Sequence, residues 1–312
     1  MYPFNLLAVR LVSVTIANSV GDNYMRRTSL TSVLFAALLP TALLAQRGRD
    51  RERDQNYSHN DHGDFVADCH RHDDWNDRDR VRYCEQRTMG WRAQGGLALS
   101  VDASPNGGIS VEGWDKDSVD VLVKVQAQAE TDSDARALAQ QLRVVNDNGR
   151  LSVSGPSSRR YASWSVSFEI RAPRHVDLDL STVNGPLEIA DVTGRIRMDA
   201  ENGPLSLDAV SGDVHAHAQN GPLTVTLTGT RWDGAGLDAE TQNGPVELMV
   251  PENYNAQLET GTVNGPMDIA FPITVQGRIG MGSHRRIQTT LGSGGTSVRV
   301  VTTNGPAVIR RS

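Results

Sequence analysis

Aromatic side chains make up only 5% of this 312-residue chain, with five Phe, five Trp and six Tyr. So few rings exclude a large ring-filled globular core. The 29 Gly and 38% hydrophobic content suit many short strands and turns around a thin aliphatic interior. Cysteine is scarcer still. Cys69 and Cys84 are the only two, and they lack the C-x-x-C spacing of a redox or metal pair. No apolar run is long enough to span a bilayer; the stretch over residues 33–44 is too short. Net charge is -6, and the repeats carry no basic stripe, which argues against nucleic acid as a partner. No phosphate loop is present either. "GSGG" at 292–295 lacks the Lys and the following helix such a loop needs, and reads as a turn.

What the chain has in abundance is one tripeptide. Asn-Gly-Pro stands at Asn184, Asn202, Asn220, Asn243, Asn264 and Asn304, at intervals of 18, 18, 23, 21 and 40, the last long enough to hide one degenerate unit. A fixed period of this size marks a repeat architecture. Three residues after each Asn come Leu187, Leu205, Leu223, Val246, Met267 and Ala307, and five after come Ile189, Leu207, Val225, Leu248, Ile269 and Ile309. The residue between is polar in five of six copies, so a half-buried strand starts at each tripeptide. Two and four residues before each Asn the chain is again small or apolar, which places a second inward-facing strand ahead of the corner.

The corner itself follows from its residue types. Gly185, Gly203, Gly221, Gly244, Gly265 and Gly305 are expected at positive φ, and Asn tolerates a left-handed backbone. Proline lacks a backbone donor and must sit where the ladder needs none. A looser corner is expected at Thr193-Gly194 and Ser211-Gly212, giving two short strands and two turns per unit. An antiparallel meander would also fit, since Asn-Gly is a strong hairpin signal. Like residues recurring one full period apart favour a parallel β-solenoid, in which each coil stacks on its counterpart. The fold class expected is therefore all-β, with the repeats over 175–312.

Upstream, Arg26 and Arg27, the apolar stretch 33–44 and Ala45 before Gln46 form a secretory signal over 25–45. On that reading Met25 is the true start, residues 1–24 are a mis-assigned extension, and no Cys follows the cleavage site to take a lipid anchor. Export makes a Cys69–Cys84 disulfide the default, contributing about 3 kcal/mol by loop closure. Residues 46–92 read as a charged leader pinned by that bond. His59, His62, His70 and His72 in it are a loose metal-binding possibility, against the plainer reading of a solvated tail. Residues 93–174 read as a β-rich N-terminal cap: Leu97, Leu99 and Val101 alternate, as do Val119 to Val125 and Trp164 to Ile170. Between them Thr131 caps one helix whose Ala135, Leu138, Ala139 and Leu142 share a face.

The ordered string "CEQR", "NGGISVEGWDKDSVDVLVKVQAQAETDSDARALA", "WSVSFEI" and "VPENYNAQLETGTVNG" resembles the bacterial putative-adhesin family, a domain of unknown function with toastrack-type β repeats. The resemblance covers residues 84–309. It implies an exported or envelope protein with a β-solenoid-like fold and no established enzymatic activity, so no catalytic residue carries over. This chain departs from the pattern by placing Pro after its repeated Asn-Gly pairs.

The outward columns carry what chemistry the repeats offer. Five residues before each Asn stand Asp179, Arg197, His215, Asp238, Glu259 and Arg299, and three before stand Ser181, Asp199, His217, Glu240, Gly261 and Val301. His215, His217, Asp238 and Glu240 form the one dense constellation, a weak candidate for a divalent ion; Asp199 and Glu240 are the corresponding acid and base candidates. Open faces of adjacent strands read first as a solvated charge ladder. The function expected is an exported, non-catalytic surface that binds a glycan or an envelope protein, or scaffolds the envelope, without a cofactor or resident metal. The alternatives are a polysaccharide-acting β-helix enzyme and an envelope-stress sensor module.

Overall fold

A computed structural model describes residues 80–93, 95–270 and 285–312, together with Phe65, Val66 and Cys69. The signal over 25–45 and His59, His62, His70 and His72 lie outside the described residues. The rest is almost entirely β, in two ten-stranded sheets, neither of them closed into a barrel.

Each Asn-Gly-Pro joins the two sheets. The strand Thr193–Asn202 ends at the Asn in one sheet, and Leu205–Asp208 begins after the Pro in the other; Ser211–Asn220 and Leu223–Thr226 repeat the pattern. The pairing between copies is parallel and in register, with Asn202 opposite Asn220 and Leu205 opposite Leu223. The apolar columns face inward and merge into one cluster: Leu187, Leu205, Leu223 and Val246 are 0–1% exposed. Only Met267 and Ile269, in the outermost rung, are half exposed. Truncating an interior column residue such as Leu205 to Ala would cost about 2–5 kcal/mol.

The corners are built differently from expectation. The Asn residues are not left-handed, and Gly203, Gly244 and Gly265 are not among the positive-φ glycines; Gly185, Gly221 and Gly305 have φ of 153–159°. Positive φ thus holds at three of the six corners, while close approach requires glycine at all six. A Cβ on Gly203 would lie 1.9 Å from the carbonyl oxygen of Gly185, and one on Gly221 would lie 2.0 Å from that of Gly203. The stacked coils touch backbone to backbone here. The second corner also moves, since Thr193-Gly194 and Ser211-Gly212 already lie in strands while Asp191 (φ 58°) and Ala209 (φ 50°) make the left-handed turn.

Proline removes a donor at each corner, and threonine supplies one. Thr182 donates its hydroxyl to the Gly107 carbonyl at 2.7 Å, Thr241 to Gly221 at 2.8 Å and Thr302 to Gly244 at 2.8 Å, each reaching the glycine of the neighbouring coil. The buried Thr column two residues before the Asn thus stays satisfied at these three rungs.

Strand order breaks with sequence order at the C-terminal end. Ser297–Asn304 pairs with Gly236–Asn243 on one side and Ala256–Asn264 on the other, and Ala307–Arg311 lies between Val246–Val250 and Met267–Ile269. No degenerate coil is found among the described residues of the 40-residue interval. What they contain is Arg285–Leu291, which pairs antiparallel with Ala256–Asn264 at the edge.

The N-terminal region 93–174 holds capping strands and also part of the parallel ladders. Ala98–Asp102 and Ile109–Trp114 continue the two parallel ladders through a seventh corner, Asn106-Gly107-Gly108, and the same hydrophobic cluster runs from Leu99 to Ile309. Ser163–Pro173 is parallel to Ile109–Trp114, and antiparallel capping begins beyond it with Ser118–Ala129 and Val81–Arg92 in one sheet and with Arg143–Asp147 in the other. Val81–Arg92 was expected as the end of a charged leader; paired along its whole length, it is an edge strand. The Cys69–Cys84 disulfide attaches to it, with both cysteines buried.

One helix, Asp132–Gln141, stands out among the described elements. Thr131 caps it by accepting from the Asp134 N–H, and Ala135, Leu138 and Ala139 are buried as their spacing requires. Its last turn contains no basic residue, but Arg87 donates to the Ala139 and Leu142 carbonyls, each at 2.9 Å, and so places a cation at the negative end of the helix.

Candidate functional site

Parallel pairing at a spacing of about 4.8 Å brings one residue per strand into a straight row on the outer face of the second sheet. Register gives that row as Arg150, Ser100, Asp179, Arg197, His215, Asp238, Arg299, Glu259 and Gln288. The repeat columns supply six of its members. Arg150, Ser100 and Gln288 lie outside the repeats and were not legible as neighbours. A second row runs Asp102, Ser181, Asp199, His217, Glu240 and Val301. The outward reading of that column fails at its end, because Val301 is 1% exposed and Gly261 is buried as well.

The four singled-out residues lie next to one another in these rows, yet their functional groups go to different partners. His215 Nε2 is 3.3 Å from Asp213, on its own strand, and His217 Nδ1 is 3.4 Å from Glu240. Asp238 and Glu240 both engage Arg299, whose Nη1 bonds Asp238 and whose Nη2 lies 2.9 Å from Glu240 Oε2. Glu259 completes this cluster at 3.8 Å from Arg299 Nε. A cation is already provided there by the protein. No group of three or more His, Cys, Asp or Glu placed to hold a metal ion occurs among the described residues.

Partial burial of Arg299 opposes its charge, but its bonds to Asp238 and Glu240 outweigh that and hold its pKa above the ordinary guanidinium value. Arg197 is raised in the same direction by its bond to Asp199 at 2.7 Å. The acid and base candidates Asp199 and Glu240 are therefore each bonded to an arginine on an open surface, where solvent and salt screen them. His215 and His217 keep 62% and 40% of their side chains exposed. This arrangement holds charges in fixed positions along a flat face and encloses no reacting group.

The corner edge carries a different array. Asn202 donates its side-chain amide to the Asn184 side-chain oxygen at 3.1 Å, Asn220 to Asn202 at 3.0 Å, Asn243 to Asn220 at 2.9 Å, Asn304 to Asn243 at 2.8 Å and Asn264 to Asn304 at 2.9 Å. Asn184 extends the run to Asn106 at 3.0 Å. Six of the seven are exposed, and Asn106 is half-buried. These residues stand at the turns, and the side-chain ladder is their additional structural role. Asn106 could have been found, since Ile109 and Val111 stand three and five residues after it as in every other copy.

No family model and no curated protein matches the chain. Solved structures similar to it include a putative cell adhesion protein from Clostridium sporogenes ATCC 15579, at 9% identity and TM-score 0.35, covering 73% of this chain and 100% of that one. A putative adhesin from Bacteroides fragilis NCTC 9343 aligns at 12% identity and TM-score 0.26, covering 73% and 97%. A putative lipid binding protein from Parabacteroides distasonis ATCC 8503 aligns at 10% identity and TM-score 0.24, covering 73% and 97%.

Proposed function

We propose that this chain is an exported, non-catalytic β-solenoid-like protein that presents its stacked faces for adhesion, binding or envelope scaffolding. The observation that carries the reading is the row from Arg150 to Gln288, nine outward side chains held in register across nine strands. The sheet fixes the backbone from which these side chains project, so a docking partner need order only the side chains themselves, which favours recognition by an extended surface. Parallel pairing with like residues opposite like residues supports the solenoid description over a meander. The buried disulfide supports an oxidising compartment, and the segment 25–45 supplies the export signal.

The purified chain with its disulfide intact, incubated with isolated cell envelopes and with envelope polysaccharides, should be retained saturably and leave the polysaccharides at full length. New reducing ends or unsaturated ends would favour the polysaccharide-acting enzyme instead. Absence of retention on any envelope fraction would sink the surface-binding reading. N-terminal sequencing of the envelope-associated protein should begin near Gln46, and recovery of a form starting at Met1 would remove the export argument.

A further inference from the structure

The outer face of the second sheet is not flat along its whole length. Ala98 and Ser100 occupy outward positions between the taller side chains of Arg150 on one side and Asp177 and Asp179 on the other. The small residues leave a crevice of about 500 Å³, which Arg195 and Arg197 also line. A second crevice, of about 450 Å³, is lined by Trp91, Arg92, Asn146 and Asn148 and shares Ala98, Asn148 and Gly149 with the first. The two are therefore one trough, each part within the size range of a small-molecule site.

The charge of this trough is opposite to that of the chain. Arg92, Arg150, Arg195 and Arg197 line it with Asp177 and Asp179, and Asp199 sits on Arg197 beside it, a local excess of one positive charge on a protein of net charge -6. Arg195 is bonded to Asp177 at 3.0 Å and Arg197 to Asp199 at 2.7 Å. Arg92 and Arg150 have no ion pair among the described residues, and both are exposed. Two free guanidinium groups beside a concavity suit carboxylates, which arginine binds through paired N–H donors.

The other lining groups narrow the ligand. Trp91, half-buried, adds an indole, which has a flat apolar face. Asn146 Oδ1 is taken by the Gly149 N–H at 3.0 Å, which leaves its amide N–H groups free to donate. An apolar plate, amide donors and cations along an open trough match a chain of pyranose rings, with apolar C–H faces, a rim of hydroxyls and carboxylates at intervals. The single aromatic ring is a poor match to the stacked bases of a nucleic acid.

We propose that this trough binds an acidic oligosaccharide, a uronate-bearing glycan. Arg150 and Arg92 hold its carboxylates, and Trp91 stacks on a sugar ring. The proposal rests on the surface-binding function and names its ligand class.

Titration calorimetry on the full mature chain tests it, using galacturonate oligomers and neutral galactose oligomers of the same length. The uronate series should bind, weaken as salt rises, and leave the neutral series without measurable heat. Arg150→Glu should lower affinity by about tenfold or more, while Arg310→Glu, on the other sheet, should change nothing. Trp91→Ala should also weaken binding; because Trp91 packs on the core, Trp91→Phe serves as the folded control and should retain part of the affinity. No binding of uronates, or binding indifferent to Arg150→Glu, overturns the proposal. If uronates fail while envelopes still retain the protein, the trough assignment alone falls; if both fail, the surface-binding reading falls with it.

Discussion

Asn304 donates its side-chain amide to the side-chain oxygen of Asn243 at 2.8 Å, across 61 residues of sequence, and Asn264 donates to Asn304 in turn at 2.9 Å. The last copy of the repeat thus sits inside the stack, between two copies made before it. The chain from 251 onward first lays down the outer rung and then returns to fill the slot it left. Both new strands find partners on both sides, so the C-terminus closes the core instead of extending it.

Removal of residues 295–312 should therefore open the structure at the rung beside its outermost coil. Strands Val246–Val250 and Met267–Ile269 would lose the partner they share, and limited proteolysis should cut between 236 and 291 while the coils around Asn184 to Asn220 resist. A synthetic peptide of residues 295–312 should restore protection. A truncated chain as resistant as the full one would show that the inserted strands contribute little.

Gly203 is among the positions least able to change. A methyl group there meets the Gly185 carbonyl oxygen at 1.9 Å, backbone against backbone, so the coils must separate. Gly203→Ala should destabilise by about 3 kcal/mol or more by urea unfolding, beyond ordinary overpacking, while Ser206→Val on the half-exposed strand face should be nearly neutral. Equal effects would refute the close-approach account.

The asparagine ladder should show end effects. Asn220→Ala removes a donor to Asn202 and an acceptor for Asn243, whereas Asn264→Ala removes only the bond to Asn304. At about 0.5–1.5 kcal/mol per bond, reduced by exposure, the interior change should cost about twice the terminal one. Denaturant midpoints check this, and identical midpoints would mean that the exposed amides lose nothing to water.

Tyr254 gives a pH signature. Burial raises its pKa from 10.0 to about 12. The folded state therefore keeps its phenol proton where the unfolded chain has lost it. This contribution to stability is fully present below pH 10 and disappears as pH rises to about 12, amounting to roughly 2–3 kcal/mol. Tyr254→Phe should remove this component of the pH dependence. An unchanged slope between pH 10 and 12 in the variant would contradict it.

The histidine pair should be dispensable for folding. His215 and His217 are exposed and paired to different carboxylates, so the double change to alanine should leave the melting temperature within a degree or two, with or without zinc. Micromolar zinc binding by the wild type, lost in the double variant, would establish a metal site on this face.

Much of this molecule was legible in the sequence because its strongest constraint is periodic. Apolar residues three and five positions after each Asn must face inward in every copy, so Leu205 and Leu207 reveal the strand, its buried face and its like partners. The Thr131 cap and the helix face were equally local. Periodicity does not, however, dictate stacking order. Asn304 inserts between Asn243 and Asn264 because an open rung with two unpaired edges is filled better than a finished end is extended, a choice made by backbone hydrogen bonds between distant segments. Nor could spacing distinguish a glycine needed for its φ from one needed for its missing Cβ; the 1.9 Å approach of Gly203 to Gly185 exists only once the coils are stacked. The same holds for the trough, where Ala98, Arg150 and Arg197 become neighbours only because strands from three parts of the chain lie side by side.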